Sequence, residues 1–448
     1  MQPLPKEFEE QMKRLLGEAG FFAYLDALNQ PYTRALRVNL LLRPDGTPPC
    51  PIEGLGAPVP WAKGAYFVEG DARPGLSPLH EGGLFYMQEP SALTAVTALD
   101  PQPGERVLDL CAAPGGKSTQ IAALMAGRGL LCCNEPIPSR AQILSRNIER
   151  MGVRNAVVLS AMPDALAPRF PAFFDRILVD APCSGEGMFR RQPEARDEWD
   201  ADAPRRCADR QMEILAQAAK MLRPGGTMVY STCTFNDTEN EGVLRRFLAL
   251  HPEFSLVPFA LPGLPEAKDG YLHLYPHEMR GEGHFVSRLK KADGADEADA
   301  PVQAAPQRKA PARTAAKGKA PAPIALPDVF SDAFAPERLY TAGDALWMLP
   351  EGISIERLSG LRVLRTGLLL AHAEGKRSEP DHALAMALRP EEAARTASLT
   401  QTQALAYQAG ETLSLGDLPG GYTLLCCEGV SLGWGKQAGG LMKNHYPK

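Results

Sequence analysis

The sequence lacks the features that would place a protein in a membrane or outside the cell. No stretch of the 448 residues approaches the run of about 18 apolar residues that a membrane-spanning helix needs. Residues 1–16 mix charged and apolar side chains and contain no continuous apolar segment of the kind found in signal peptides. These absences predict a cytoplasmic protein that does not bind a membrane.

Cysteine is scarce and scattered. The nine cysteines show neither the paired spacing of a zinc site nor the dense framework of a small secreted domain. The adjacent pairs Cys132-Cys133 and Cys426-Cys427 are predicted to be small residues of strands. Free thiols are typical of a reducing compartment, and we expect no bound metal.

The chain also lacks the excess of basic residues found in many nucleic-acid-binding proteins. It contains 48 Lys and Arg against 53 Asp and Glu, for a net charge of −5. Any RNA binding must therefore use local basic patches. Lys436, Lys443 and Lys448 could contact phosphates, although a solvated tail would have the same composition.

Composition divides the chain, which contains no internal repeat and is too long for one typical core. Residues 1–75, with a helical pattern over 6–16, predict a small N-terminal α/β domain. Residues 76–290 alternate between strand and helix patterns. Residues 291–325 are rich in Ala and Pro without apolar periodicity, which predicts a disordered linker. Order returns over residues 326–448, which predicts a C-terminal domain.

The middle region predicts a doubly wound, mostly parallel sheet of Rossmann-like α/β type. Short apolar runs alternate with helical patterns, as expected when parallel strands are joined by crossover helices. The predicted strands span residues 106–110, 129–133, 156–160, 173–179, 227–230 and 284–289. The helix that ends at Leu250 is predicted to be capped by Asn236 or Asp237.

A glycine-rich turn follows the first predicted strand and precedes a helix. Glycine lets a ligand approach the backbone, and a helix N-terminus offers free N–H groups. Glu135 ends the next strand, where an acid can hold ribose hydroxyls. The pattern predicts a nucleotide-like cofactor, although such a turn can also be purely structural. Its residues are Cys111, Ala112, Ala113, Pro114, Gly115, Gly116 and Lys117.

Two cysteines follow the ends of two further predicted strands, in residues 180–183 (DAPC) and 231–233 (STC). Taken singly, Cys183 and Cys233 can be packed thiols, and Asp180 can cap the following turn. Because the carboxyl ends of parallel strands meet at one edge of the sheet, we expect these three side chains to face the cofactor site. A thiolate is a strong nucleophile, so the group predicts covalent catalysis.

These motifs resemble those of the Sun-family RNA cytosine-5 methyltransferases. The resemblance is carried by residues 111–117 (CAAPGGK), 180–187 (DAPCSGEG) and 230–234 (YSTCT). Within that family the chain most resembles the RsmF type, which modifies small-subunit ribosomal RNA. Further similar segments are 88–91 (QEPS), 275–277 (YPH), 281–285 (GEGHF) and 433–436 (GWGK). The strong likeness covers residues 30–290 and weakens beyond them.

The resemblance implies a cofactor, a reaction and a role for each residue. S-adenosyl-L-methionine would bind at residues 111–117, with Glu135 at the ribose and Asp180 also in contact. Cys233 would add to C6 of a cytosine, Asp180 would contact N3, and Cys183 would help to resolve the adduct. Addition of a thiolate at C6 makes C5 nucleophilic, so that C5 can accept a methyl group.

One segment departs from the family pattern. The family usually carries Asp-Gly after the third strand to hold the adenine, whereas residues 160–164 read SAMPD here. We predict that Asp164 takes that place, displaced by one or two residues.

The resemblance also implies an RNA partner, either 16S ribosomal RNA or the small ribosomal subunit. The N-terminal and C-terminal domains would bind RNA, and the C-terminal one would be PUA-like. His273, His277 and His284 would lie beside the RNA rather than hold a metal. We expect a monomer.

Two other functions fit part of the pattern. A DNA cytosine-5 methyltransferase would use Cys183 as its nucleophile but would have no need of Thr232-Cys233. A ribosome-assembly factor without activity would keep the fold, but the intact Lys117 and Asp180 argue against a decayed site.

Overall fold

The computed structural model describes residues 4–294, 336–374, 377–416 and 418–447, together with positions 324 and 329. Most of the predicted linker at residues 291–325 therefore lies outside the described residues. None of the helices in these ranges is long and apolar enough to cross a membrane.

The N-terminal part consists of a long helix and an antiparallel sheet with the strand order β2-β3-β1-β4. The predicted helix over 6–16 continues further, with a break at Gly17, whose φ of +69° is not helical. The predicted helix therefore ends at this break, and its second half was not predicted. The elements are α1 (Lys6–Leu28), β1 (Arg34–Val38), β2 (Leu55–Pro58), β3 (Ala65–Val68), α2 (Pro78–Glu81) and β4 (Phe85–Gln88).

The middle part alternates between strands and helices, as the sequence predicts. Its elements are α3 (Thr94–Leu99), β5 (Arg106–Asp109), α4 (Gly116–Leu124), β6 (Leu130–Asn134), α5 (Pro138–Arg150), β7 (Ala156–Leu159), α6 (Pro163–Leu166), β8 (Phe174–Asp180), α7 (Glu194–Glu198), α8 (Ala203–Met221), β9 (Leu222–Thr232), α9 (Glu241–Leu250), β10 (Phe254–Leu256), β11 (Tyr271–Leu274) and β12 (His284–Lys291).

The central sheet confirms the predicted α/β fold. Strands β7-β6-β5-β8-β9 lie side by side and are parallel, and β12, β10 and β11 extend the sheet in antiparallel fashion. The order reverses between β5 and β8, because the chain first adds strands on one side of β5 and then on the other. Open α/β sheets bind ligands outside the carboxyl ends of their strands at such a reversal.

The sheet is buried on both faces by residues that alternate along each strand. Val107 belongs to the core beneath α4, α5 and the N-terminal sheet, whereas the next residue, Leu108, belongs to the core beneath α8 and α9. Cys133 and Cys132 divide in the same way and are fully buried, as predicted for small strand residues. Burying each Val or Leu side chain contributes about 1.5–3 kcal/mol, so both faces hold the strand ends firmly.

The C-terminal part forms two small four-stranded sheets and also adds one strand to the central sheet. Strand β15 pairs antiparallel with β7, with Val363 opposite Leu159. The elements are β13 (Leu339–Ala342), β14 (Ala345–Met348), α10 (Ile355–Leu358), β15 (Val363–Arg365), β16 (Leu368–Glu374), β17 (Arg377–Pro380), α11 (His382–Ala387), β18 (Thr396–Ser398), α12 (Gln401–Gln408), β19 (Gly421–Cys427), β20 (Val430–Ala438) and β21 (Leu441–Asn444).

Close contacts fix the C-terminal part against the central sheet. The Ser160 N–H donates to the Arg362 carbonyl over 2.9 Å, and the Arg365 guanidinium pairs with Glu149. Gly152, just after α5, has a φ of +64°, and a Cβ there would lie 2.3 Å from the Met386 carbonyl oxygen. Only glycine fits this approach of the two parts of the chain.

Candidate active site

The predicted site residues meet at the carboxyl edge of the central sheet. Asp180 ends β8, Cys183 lies in the loop after it, and Cys233 follows directly after β9. Glu135 follows β6, where its N–H donates to the Leu159 carbonyl over 3.1 Å. These strands flank the reversal of strand order, so the fold itself brings the residues together.

A cavity of about 640 Å³ lies over this edge of the sheet. Asp180 and the two thiols follow β8 and β9, whereas Glu135, Ile137 and Met162 follow β6 and β7, on the other side of β5 and thus at the far end of the cavity. Its lining residues are Cys111, Ala113, Glu135, Pro136, Ile137, Arg140, Met162, Pro163, Asp164, Asp180, Ala181, Pro182, Cys183, Arg210, Glu213, Ile214, Gln217 and Cys233.

The two thiols lie next to each other in this cavity. The Sγ atoms of Cys183 and Cys233 are 3.2 Å apart, and the Cys233 N–H donates to the Cys183 sulfur over 3.3 Å. The hydrogen bond with Cys233, together with burial, raises the pKa of the Cys183 thiol well above its ordinary value. Cys183 is therefore held as a thiol that can donate to Cys233, not as a thiolate.

The Asp180 carboxylate is held by groups from three elements. The Lys117 ammonium on α4 lies 2.7 Å from Oδ2, and the Ser231 hydroxyl on β9 donates to Oδ1 over 2.8 Å. Nε2 of His284 on β12 lies 3.6 Å from Oδ1. Burial alone would raise the pKa of Asp180, but the charge of Lys117 and the His284 imidazole outweigh it and lower that pKa. Asp180 is thus a carboxylate at neutral pH.

Two buried carboxylates, Glu186 and Glu239, hold the loops that carry the cysteines. Glu239 accepts hydrogen bonds from the Ser184 N–H over 3.0 Å, from Asn236 over 2.8 Å and from Gln211 over 2.9 Å. Glu186 accepts from the N–H groups of Phe235 and Asn236. The two carboxylates, which we call the carboxylate clamp, tie the loop after β8 to the loop after β9.

The clamp also explains why the predicted helix cap at Asn236 or Asp237 was wrong. Helix α9 begins at Glu241, and its N-cap position is Asn240. The Asn236 side chain instead accepts from the Glu239 N–H over 2.8 Å and donates to both clamp carboxylates. The bond from the Glu239 N–H is a local capping bond, but the turn that it caps, residues 237–240, ends before α9 begins.

The far end of the cavity combines an anchored acid with exposed apolar side chains. Glu135 accepts from the Ile137 N–H over 3.0 Å and pairs with Arg140 over 3.1 Å, which fixes its carboxylate. Ile137 and Met162 are 50% and 61% exposed, which is unusual for large apolar residues. Asp164 is exposed near them at the start of α6. An acid beside uncovered apolar surface suits a ribose and an aromatic base.

The glycine-rich turn reaches the cavity with only part of its length. Cys111 and Ala113 line it, whereas five residues of the turn are not among the lining residues. Pro114 accepts from Asn147 over 2.9 Å, and a Cβ on Gly115 would lie 3.2 Å from Leu144, so this stretch packs against α5. The five residues are Ala112, Pro114, Gly115, Gly116 and Lys117.

Several residues of the site were not predicted from the sequence. Glu186 lies inside the motif of residues 180–187, but its neighbours in the sequence do not show whether it holds a loop or contacts a ligand. Ile137 and Met162 could have been predicted, since each is an apolar residue that lies three positions after the end of a strand. His284 was considered only as an RNA neighbour or metal ligand; among the described residues no group of three or more His, Cys, Asp or Glu could hold a metal ion.

Family models match nearly the whole chain. The model for 16S rRNA methyltransferase RsmB/F matches residues 96–290, and that for the N-terminal domain of 16S rRNA methyltransferase RsmF matches residues 4–90. The first C-terminal domain of RsmF rRNA methyltransferase matches residues 327–388, and the methyltransferase RsmF PUA domain matches residues 394–448.

Solved structures share the fold over about two thirds of the chain. A methyltransferase homologue from Pyrococcus horikoshii is 30% identical, with a TM-score of 0.54 over 64% of this chain and 95% of that chain. NSun6 from Pyrococcus horikoshii, solved with SFG, is 22% identical, with a TM-score of 0.55 over 65% of this chain and 99% of that chain. The latter likeness concerns the fold alone.

Curated relatives match over almost their full length. Ribosomal RNA small subunit methyltransferase F of Erwinia tasmaniensis is 34% identical over 99% of this chain and 96% of its own length. The protein of the same name from Klebsiella pneumoniae is also 34% identical, over the same shares of the two chains. The resemblance seen in the motifs is thus confirmed, and the chain belongs to the RsmB/F family of 16S rRNA methyltransferases, among the relatives called ribosomal RNA small subunit methyltransferase F.

Proposed function

We propose that the protein transfers a methyl group from S-adenosyl-L-methionine to C5 of a cytosine in small-subunit ribosomal RNA, through a covalent adduct between Cys233 and C6. The observation that carries the proposal is the convergence of two thiols 3.2 Å apart and the Asp180 carboxylate in one cavity. Thiolate addition, proton handling and release of the product need such a set of groups.

The residues at the far end of the cavity fit the cofactor. Glu135 would hold the ribose, and Ile137, Met162 and Asp164 would surround the adenine. When bound, S-adenosyl-L-methionine supplies an electrophilic methyl group. Cys111 and Ala113 would contact it directly, and the rest of residues 111–117 would position the turn and Lys117.

The cysteines take different roles because their surroundings differ. Cys183 is kept protonated by its hydrogen bond with Cys233 and by burial, so Cys233 is the better nucleophile. Cys183 then relays the proton lost from C5: its sulfur takes that proton as its own thiol proton passes to water, before the Cys233–C6 bond breaks. Asp180 contacts N3 of the ring, held in place by Lys117 and Ser231.

The parts of the chain outside the central sheet would bind the RNA. We propose an N-terminal RNA-binding domain over residues 1–75, a methyltransferase domain over 76–290, a linker over 291–325 and a PUA-like C-terminal domain over 326–448. Relatives of this chain carry the name of a small-subunit methyltransferase, which supports ribosomal RNA or the small subunit as the substrate.

The test measures two properties of single cysteine variants. The first is the transfer of a radiolabelled methyl group, and the second is the formation of a covalent protein–RNA band that survives denaturation. Cys233→Ala should lose methylation and form no adduct, because the nucleophile is gone. Cys183→Ala should still form the adduct and accumulate it. Cys207→Ala, a half-buried thiol on α8 outside the cavity, is the matched control and should behave as wild type.

Protein-free 16S RNA, small subunits and DNA serve as alternative substrates, and bisulfite sequencing of the RNA locates the modified base. An adduct trapped by Cys233→Ala instead of Cys183→Ala would favour the DNA-enzyme arrangement. A wild-type protein without transfer to any of the three would contradict the proposed activity.

A further inference from the structure

We propose that His284 is a positioning residue that acts through Asp180: it orients the Asp180 carboxyl group and stores the proton that Asp180 passes to N3 of the target cytosine. This inference rests on the proposed function and goes beyond it, since it assigns the source of that proton.

Strand register brings His284 to the reacting groups. Phe285 of β12 pairs with Thr232 of β9, so His284 stands one position further on, opposite Cys233. Asp180 pairs with Ser231, which lies two residues before Cys233. Because side chains alternate along strands, His284, Cys233, Ser231 and Asp180 share one face of the sheet.

The imidazole of His284 is enclosed and faces Asp180. The residue is 3% exposed, and its Nε2 lies 3.6 Å from Oδ1 of Asp180. That nitrogen has no hydrogen-bond partner among the described residues. Catalytic hydrogen bonds are often long in a ligand-free site and shorten when substrate binds, so a small movement would join the two groups.

The chemistry of the adduct requires a proton that Asp180 alone does not hold. Lys117, 2.7 Å away, keeps Asp180 ionised, and a carboxylate has no proton to give to N3. When the Cys233 thiolate adds to C6, the S–C6 bond forms and the C5–C6 π pair shifts to the C4–C5 bond. The C4–N3 π pair then moves onto N3, which takes a proton. His284 as imidazolium releases that proton from Nε2 to Asp180, and Asp180 passes it to N3.

The same route restores the starting state. After methyl transfer C5 loses its proton, the S–C6 bond breaks, and the N3 proton returns through Asp180 to His284. The proton from C5 therefore leaves to water in each cycle. Its positive charge is the one that the methyl donor loses when it transfers its methyl group. His284 ends each turnover charged and ready for the next one.

The charged and titratable groups around this pair are few. Asp180 faces Lys117 on α4, Cys183 in the loop after β8, Cys233 after β9 and His284 on β12. Burial and, to a smaller extent, the charge of Asp180 raise the pKa of Asp109 on β5, whose carboxylate accepts from Ser118 over 2.7 Å. Glu282, two residues before His284, forms a two-point ion pair with Arg190.

The experiment measures adduct formation with small-subunit RNA that contains 5-fluorocytidine. Fluorine at C5 does not leave as a proton does, so the adduct accumulates and its rate of formation is seen directly. The full-length wild type, His284→Phe and His284→Gln are compared from about pH 6 to about pH 9, which spans the ordinary imidazole pKa. His251→Gln, at a half-buried histidine after α9 that lies outside the cavity, is the matched control.

The ratio of the wild-type rate to the rate of either His284 variant should fall between about pH 6 and about pH 9, because formation of the Cys233 thiolate is common to all three proteins. Both His284 variants should be slower than the wild type by about 100-fold at low pH, within the usual range for proton-transfer groups. Combined with Asp180→Asn, His284→Phe should cause no further loss, because both act in one step. His251→Gln should follow the wild type.

Three results would overturn the inference: an unchanged rate and pH profile in both variants, full rescue by His284→Gln, or additive losses with Asp180→Asn. Rescue by glutamine would mean that a hydrogen bond suffices without a proton. Thermal unfolding and S-adenosyl-L-methionine binding check the fold, and if His284→Phe does not fold, His284→Gln decides. No adduct with the wild type would defeat the proposed function itself.

Discussion

Single carboxylates at the strand ends differ in charge because their neighbours differ. Asp180 has the Lys117 ammonium at 2.7 Å and is ionised. Asp109, one strand away, is fully buried, takes one hydrogen bond from Ser118 and has no partner for Oδ1 among the described residues. Burial therefore raises the pKa of Asp109 to about 7, with a smaller contribution from the charge of Asp180. Asp109 takes up its proton near neutral pH.

This shift predicts a pH-dependent stability. The folded-state pKa of Asp109 lies above its ordinary value of 3.8, so the stability that the protonated group contributes is full below about pH 3.8 and is lost as the pH rises through about 7. Asp109→Asn, which mimics the protonated acid, should escape this loss. Relative to wild type, its free energy of unfolding should rise between pH 4 and pH 7 by on the order of a few kcal/mol.

Denaturant unfolding at several pH values measures this difference. Asp209→Asn is the control, since its side chain is 62% exposed, and it should leave the pH dependence unchanged. A constant difference between Asp109→Asn and wild type across the range would show that Asp109 is ionised throughout.

The elements that matter most for the site are the loops after β8 and β9. The loop after β8 contains one short 3-10 helix, Glu186–Met188. The mutual position of the two loops depends on the carboxylate clamp formed by Glu186 and Glu239. Gln211 of α8 joins the clamp and also accepts from the Tyr230 hydroxyl over 2.9 Å. The thiols are therefore held together by side chains that do not touch the cavity.

Removing one clamp carboxylate should separate the thiols. Glu239→Ala leaves the Ser184 N–H without its acceptor, and an unsatisfied buried donor costs about 1–3 kcal/mol. Asn236 and Gln211 each lose one acceptor but keep Glu186 and the Pro182 carbonyl, respectively. We expect a lower free energy of unfolding and slower adduct formation, but nearly unchanged S-adenosyl-L-methionine affinity. Glu253→Ala, with a side chain that is 41% exposed, is the control. Equal loss of cofactor binding would mean that the clamp supports the whole cavity.

The sequence predicted the central strands to within a residue or two, except β9, which begins at Leu222 and not near residue 227. Buried strands and amphipathic helices are set by local apolar patterns, and Asp180, Cys183 and Cys233 follow from strand ends. The carboxylate clamp could not be predicted in this way, because the role of a buried glutamate depends on hydrogen-bond partners that are distant in sequence. The pairing of β15 with β7 was missed for the same reason, since the three residues of β15 carry no pattern that indicates β7 as their partner.

At the scale of the whole molecule, the C-terminal part braces the cofactor end of the cavity. The Ser160 N–H donates to Arg362, and Arg169 donates to the Arg357 carbonyl over 3.1 Å. Met162 and Asp164 line the cavity between these two attachment points. The loop that would surround the adenine is thus held at both ends by residues from another part of the chain.

Weakening this attachment should therefore reduce cofactor affinity from a distance. Arg365 is 5% exposed and pairs with Glu149 on α5, so Arg365→Ala removes a buried partner. Because Glu149 is partly exposed, the free energy of unfolding should fall by at most about 3–5 kcal/mol. Calorimetry should show weaker binding of S-adenosyl-L-methionine. Arg206→Ala, which breaks an exposed pair with Asp200, should change either quantity little. Full affinity in Arg365→Ala would contradict the bracing.

The pairing of β15 with β7 also has a consequence for biosynthesis. A ribosome delivers β7 long before it delivers β15, so the nascent sheet carries an uncovered edge while the intervening residues are made. An open edge offers unpaired N–H and C=O groups to any other extended chain. A translation product that stops before residue 363 keeps that edge uncovered, and its exposure to aggregation and its need for chaperones would exceed those of the finished protein.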